Sequence, residues 1–129
     1  MSVPAPIVEF VNALYSASDI GPKADALAHQ NYVDLFNKDA TLIMGPTTFL
    51  GHPGVLQFRE NGWKGVLTRR HVCKGIFINP SNANEVMTYG TVDYGMEDGS
   101  KVEGIEWAGR LELDQTGSKP KIEFYQVFI

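Results

Sequence analysis

Apolar and polar residues alternate with two different periods along this chain, and the change of period divides it. Over residues 4–17, Ile7, Phe10, Val11, Leu14 and Tyr15 recur every three or four positions, the stripe of an amphipathic helix. Proline at its start is tolerated because the first helical N–H groups lack intrahelical partners anyway. Ser18-Asp19-Ile20-Gly21-Pro22 ends it. A second helix is predicted over residues 23–37, with Leu27, Ala28, Tyr32, Leu35 and Phe36 inward. Residues 40–45 read as a short strand, and 46–51 as a turn and a second short strand. His52-Pro53-Gly54 opens a third helix reaching about residue 66, along which Val55, Leu56, Arg59, Trp63 and Val66 line up. Gly62 and Gly65 weaken its interior.

From Thr68 onward the period is two. Residues 68–94 read as two long strands joined by a polar turn over 79–84, where Pro fixes φ and Asn and Ser bond locally to backbone. In the first strand His71, Cys73, Gly75 and Phe77 share one face, and Arg70, Val72, Lys74, Ile76 and Ile78 share the other. In the second, Val86, Thr88, Gly90, Val92 and Tyr94 oppose Met87, Tyr89, Thr91 and Asp93. Glu97-Asp98-Gly99 is a tight turn. Residues 100–114 then alternate Glu103, Ile105, Trp107, Gly109, Leu111 and Leu113 against Gly104, Glu106, Ala108, Arg110 and Glu112. A last turn precedes a last strand over 121–129. The long hairpin needs cover, and the helices supply it. The predicted architecture is one α+β domain over residues 1–129, a cone-shaped curved antiparallel sheet wrapped on three N-terminal helices. The mouth of such a cone is a natural ligand site.

Composition narrows the function. The chain has 129 residues and a net charge of −4, which argues against a nucleic-acid partner. No apolar run approaches the roughly 20 residues of a membrane span, and the N-terminus lacks the parts of a signal peptide. Cys73 is the single cysteine, so no internal disulfide forms and a reducing, cytoplasmic setting fits. The three histidines, His29, His52 and His71, lie on separate elements without ligand spacing, so no metal site is expected. No phosphate loop or dinucleotide fingerprint is present, and no cofactor is expected. The outward apolar set Met87, Tyr89, Ile76 and Ile78 predicts a homodimer through the outer sheet face.

His71 is the best single candidate for chemistry, because an imidazole can act as acid or base near neutral pH. The alternative is a buried histidine bonded to backbone or to a distant carboxylate. Tyr15 and Tyr32 sit on inner helical stripes, where a phenol either polarises a substrate oxygen or simply fills the core. Trp63 and Trp107 read as aromatic walls or as core packing. Cys73 is a nucleophile only if its thiolate is stabilised, and otherwise a small buried residue. Met44 and Thr88 complete the expected ligand-binding set with Tyr32, Trp63, Cys73 and Trp107. His29 and His52 read as solvated. A bulge near Gly104 or Gly109 would turn Glu106 inward as a general base.

The element order, with particular residues, resembles the nuclear-transport-factor-2-like fold and, within it, the SnoaL-like proteins. The matching signals are residues 34–42 (DLFNKDATL), Gly51 with Val55, and residues 123–127 (EFYQV). The resemblance implies a conical pocket, frequent dimers through the outer sheet face, and activities from polyketide cyclases and ketosteroid isomerases to scytalone dehydratases and non-catalytic members. Thr68-Arg69-Arg70-His71 looks like the histidine-bearing segment of scytalone dehydratase. Gly90 stands where that enzyme's second histidine would be, and Tyr15-Ser16 replaces its tyrosine-aspartate pair. The general base of ketosteroid isomerases falls near Met44. The expected function is a cofactor-independent lyase, isomerase or cyclase acting by proton transfer on a small hydrophobic, polyketide- or terpenoid-like molecule. His71 and Tyr15 would be its catalytic residues. The alternative is a non-catalytic ligand-binding or dimerisation module of the same fold.

Overall fold

A computed structural model describes residues 2–129. Helix α1 (Ala5–Ser18) buries Ile7, Phe10, Val11, Leu14 and Tyr15, the stripe that the periodicity predicts. Helix α2 (Ala28–Val33) is much shorter than the helix expected over 23–37. Gly21 and Pro22 start a run of turns, and the Asp25 carboxylate accepts the Leu27 N–H at 2.9 Å, a local bond that competes with helix. Leu27 is accordingly 64% exposed instead of inward. Strand β1 (Phe36–Met44) begins where the second helix was expected to end, and β2 (Thr47–Leu50) follows. Helix α3 (Gly51–Gly62) stops at Gly62, and Gly65 at φ +72° turns the chain into the sheet. Strands β3 (Val66–Asn79), β4 (Asn82–Met96), β5 (Lys101–Asp114) and β6 (Lys121–Phe128) complete it.

All strands form one six-stranded sheet in the order β2-β1-β6-β5-β4-β3. The small strand pair is therefore an extension of the meander, joined by a parallel pairing of β1 with β6 beside otherwise antiparallel neighbours. The sheet is curved and unclosed. Its inner face packs Leu42, Val86, Val92, Leu111 and Ile122 against Ile7, Val11 and Leu14 of α1. Among the described residues no helix is long and apolar enough to cross a membrane.

Two bulges set which side chains face inward. In β3, Cys73 pairs with Gly90 and Gly75 with Tyr89, so Lys74 is an extra residue. Before it, His71 and Cys73 face the helices as alternation predicts. After it the faces exchange: Ile76 and Ile78 turn inward against the core, and Phe77 turns outward at 57% exposure. The expectation that Phe77 shares a face with His71 is thus corrected, as is the placing of Ile76 and Ile78 on the outer face. The second bulge lies at Glu103 and Gly104, with Gly104 at φ +68° and its N–H bonded to the Asp93 carboxylate at 2.7 Å. It precedes Ile105, so Trp107, Gly109, Leu111 and Leu113 stay buried and Glu106 stays exposed on the outer face. Glu106 is no general base of an inner cavity.

Gly90 is required by the first bulge. A Cβ there would lie 1.8 Å from the Val72 carbonyl oxygen and 3.1 Å from the Trp107 ring. The position that would hold a second histidine has no room for any side chain.

Candidate active site

The end of α1 and the start of β3 meet over the inner face of the sheet, and there Asp19 meets His71. Asp19 is the residue that caps α1. Its carboxylate accepts the His71 backbone N–H at 2.9 and 3.0 Å and contacts the imidazole Nδ1 at 2.6 Å. A carboxylate only accepts, so Nδ1 carries the proton and Nε2 is left as the basic nitrogen. The ring packs against an aromatic pair: Tyr15 lies 5.3 Å away, Trp107 meets it edge-on at 5.4 Å, and the two are 4.5 Å from each other. The carboxylate partner missing beside Tyr15 is therefore supplied one helical turn further on. The sequence carried that signal, since Tyr15 and Asp19 are four residues apart and share a helix face.

A negative charge at a helix C-terminus opposes the helix dipole. Arg59 of α3 offsets it. This side chain is 2% exposed, and its guanidinium donates to the carbonyls of Ala17, Ser18 and Ile20 at 3.4, 3.1 and 2.7 Å. Its Nε–H donates to Nδ1 of His29 at 3.2 Å. Burial lowers the Arg59 guanidinium to about 10, so it stays charged at neutral pH. His29 is thus half-buried and bonded, not solvated, and desolvation and Arg59 hold its imidazole below the ordinary value. His52 is also half-buried and bonds the Phe36 carbonyl at 2.7 Å through Nε2, where the sequence suggested water.

His71 borders a cavity of ≈ 280 Å³. Tyr32, Met44 and Trp107, three of the expected ligand-binding residues, line it. Phe49, Phe58 and Val127 add apolar wall, and Tyr94 and Tyr125 add phenols. Arg59 and Arg69 border it as well, and no Asp or Glu among the described residues does. The sequence reading missed Asp19, Arg69 and Tyr94.

The remaining candidates lie outside that lining. Tyr15 is buried beneath it, its hydroxyl 2.8 Å from Thr88 Oγ1 and 3.1 Å from the Tyr125 hydroxyl. Burial pushes the Tyr15 phenol up to about 12. Gly109 makes this cluster possible, because a Cβ there would come within 3.0 Å of the Tyr15 hydroxyl and 2.9 Å of Thr88 Oγ1. Tyr15 thus packs against the imidazole and Thr88 bonds Tyr15, and neither borders the cavity. Cys73 packs against the core with its Sγ 3.6 Å from the Gly75 carbonyl, and burial raises its thiol, the opposite of an activated nucleophile. Trp63 borders a separate depression, where its ring packs against Gly21 and lies 5.5 Å from the Arg59 guanidinium and 4.5 Å from that of Arg69. Among the described residues no three His, Cys, Asp or Glu side chains converge as a metal would require.

No family model matches the chain, and no curated protein matches it in sequence. Solved structures match it in fold. A nuclear-transport-factor-2-like protein from an Exiguobacterium species superposes with a TM-score of 0.76 at 17% identity, over 92% of this chain and 95% of that one. TerC, co-crystallised with polyporic acid, matches at 0.74 and 13% identity, over 97% and 92%. A protein with a ketosteroid isomerase-like fold from Catenulispora acidiphila, in complex with trimethylamine, matches at 0.74 and 13% identity, over 94% and 85%. With its helices set on a curved, unclosed sheet, the chain has the nuclear-transport-factor-2-like fold.

Proposed function

We propose that the protein is a cofactor-independent lyase, isomerase or cyclase that moves a proton on a small, largely apolar molecule bound in the cavity beside His71. The observation that carries this reading is the Asp19–His71 pair at 2.6 Å, with the imidazole on the wall of a cavity that is otherwise mostly aromatic and aliphatic. Nε2 of His71, which makes no hydrogen bond among the described residues, takes the proton from a carbon next to a carbonyl. Asp19 fixes the tautomer and stabilises the imidazolium that forms. The imidazolium then returns the proton to a second carbon, completing an isomerisation, or to a departing hydroxyl, completing a dehydration. Tyr32 is the donor to the carbonyl oxygen: it lines the cavity beside Ser18, and burial raises its phenol so that the proton stays on. The solved relatives of the same fold that hold polyporic acid and trimethylamine support small-molecule binding in this architecture.

A cavity filled by Trp107, Phe77 and Met44, or a His71 without a carboxylate partner, would favour a non-catalytic module. Trp107 and Met44 leave the cavity open, and Phe77 points away from it. The outer face carries Val72, Phe77, Met87, Tyr89 and Phe128 in exposed positions, with the Phe77 and Tyr89 rings stacked at 6.1 Å. We propose that this face is covered by a second copy of the chain.

The test is proton exchange. Incubated in D₂O with enolisable bicyclic ketones such as β-tetralone, the wild-type protein should accelerate deuterium uptake next to the carbonyl, as read by NMR. His71→Gln should reduce that rate by roughly 10²–10⁴-fold. No acceleration across a panel of such ketones, or a rate unaffected by His71→Gln, would overturn the reading.

A further inference from the structure

Arg69 is a charged group that the proton-transfer chemistry leaves unused. It lies two residues before His71 on β3, so both side chains face inward with Cα atoms roughly 7 Å apart. Its guanidinium lies over two aromatic rings, 4.5 Å from Trp63 and 5.3 Å from Tyr94. It donates to the Gly62 carbonyl, and no Asp or Glu among the described residues forms a salt bridge with it. Asp19 is the carboxylate whose charge acts on it, and both Asp19 oxygens already serve His71. Arg59 differs: its guanidinium is bound to the end of α1 and to His29, which makes it part of the frame. Trp107 adds an independent sign of a missing partner. It is 5% exposed, it lines the same cavity, and its indole N–H has no hydrogen-bond partner among the described residues.

We propose that Arg69 is the anion-binding residue of the cavity, and that the molecule bound there is an acid, a ring skeleton carrying a carboxylate or an acidic enol. The inference rests on the cavity being the ligand site proposed above. A planar oxyanion matches the guanidinium fork, and its charge answers a cavity bordered by two guanidiniums and no Asp or Glu side chain. The Trp107 N–H is a second donor for the same group or for its neighbour. With the oxyanion at Arg69, the rest of the skeleton extends past His71 toward the apolar wall of Met44, Phe49 and Phe58. Arg69 thereby selects the substrate and sets which carbon meets Nε2.

Isothermal titration with matched probes tests this. Naphthoate and naphthamide have the same shape and differ in charge, and lawsone and its methyl ether form the corresponding enol pair. The wild-type protein should prefer the charged member of at least one pair by roughly tenfold or more, and the pair that shows it identifies the acid. Arg69→Met, which keeps the side chain's length and packing on the rings, should bring that ratio to about one, because the charged member loses far more affinity than the neutral one. Arg69→Gln carries the same comparison should the Met variant not fold. His71→Gln should keep the preference, so failure of proton transfer and failure of anion binding are read separately. A wild-type ratio near one in both pairs, including no binding of any probe, or a ratio that survives loss of the guanidinium, would overturn the proposal.

Discussion

His29 shows how one side chain can be misassigned from spacing and yet leave a measurable trace. On a helical wheel it falls beside Asp25 and away from the core, but Arg59 reaches it from a different helix. Desolvation and that charge lower its affinity for a proton below the ordinary value of 6.5. A group whose folded-state pKa is depressed contributes stability above the ordinary value and loses it as pH falls through the folded-state value. The melting temperature should therefore fall between pH 7 and pH 5, and His29→Asn, which keeps an acceptor for Arg59 but does not titrate, should fall less. Identical slopes for the two proteins would contradict the assignment. Asp19 was hidden for a related reason. Its role depends on β3 arriving at the end of α1, a contact between residues 52 positions apart.

At the scale of elements, the period of the pattern was enough to find α1 and the four long strands, because each buries a regular run of apolar residues. It was not enough for α2. The apolar spacing over 23–37 is helical, yet Asp25 and the Gly21-Pro22 pair favour turns, and pairing of Phe36 with Ile122 of β6 draws the end of that segment into β1. Nor could the alternation reveal the bulge at Lys74, since either register leaves apolar residues on both faces. That bulge moved Phe77 out and Ile76 in, and it fixed Gly90 against Val72. Gly90→Ala should therefore destabilise the fold by about 1–3 kcal/mol or more, because the clash is with backbone, which must shift to relieve it. Denaturant titration measures this, and an unchanged midpoint would show that β3 and β4 are less tightly apposed than described.

For the whole molecule, the sequence carried the architecture because helices come early and strands late, and only a curved sheet folded over the helices buries both. The site was half legible. Its imidazole and part of its aromatic wall stand at positions set by alternation, whereas Asp19, Arg69 and Tyr94 come together only through curvature and chain crossing. The outer face makes a separate prediction at this scale. Phe77, Met87, Tyr89 and Phe128 leave an apolar strip across several strands, more than a sheet face in water ordinarily retains. Sedimentation should find a dimer at micromolar concentration, and Met87→Lys together with Tyr89→Lys should give a folded monomer. A wild-type monomer at that concentration would exclude the assembly.

The account turns on Asp19 and His71 acting as one proton-transfer unit, and a double-mutant cycle in the deuterium-exchange assay tests that most directly. Asp19→Asn should preserve the fold but lower the exchange rate by roughly 10²–10⁴-fold, since the amide no longer holds the basic nitrogen toward the cavity. The double variant with His71→Gln should be no slower than His71→Gln alone, because residues that work as a unit are not additive. If Asp19→Asn keeps most of the rate, or if the two losses multiply, the pair is not the device described here.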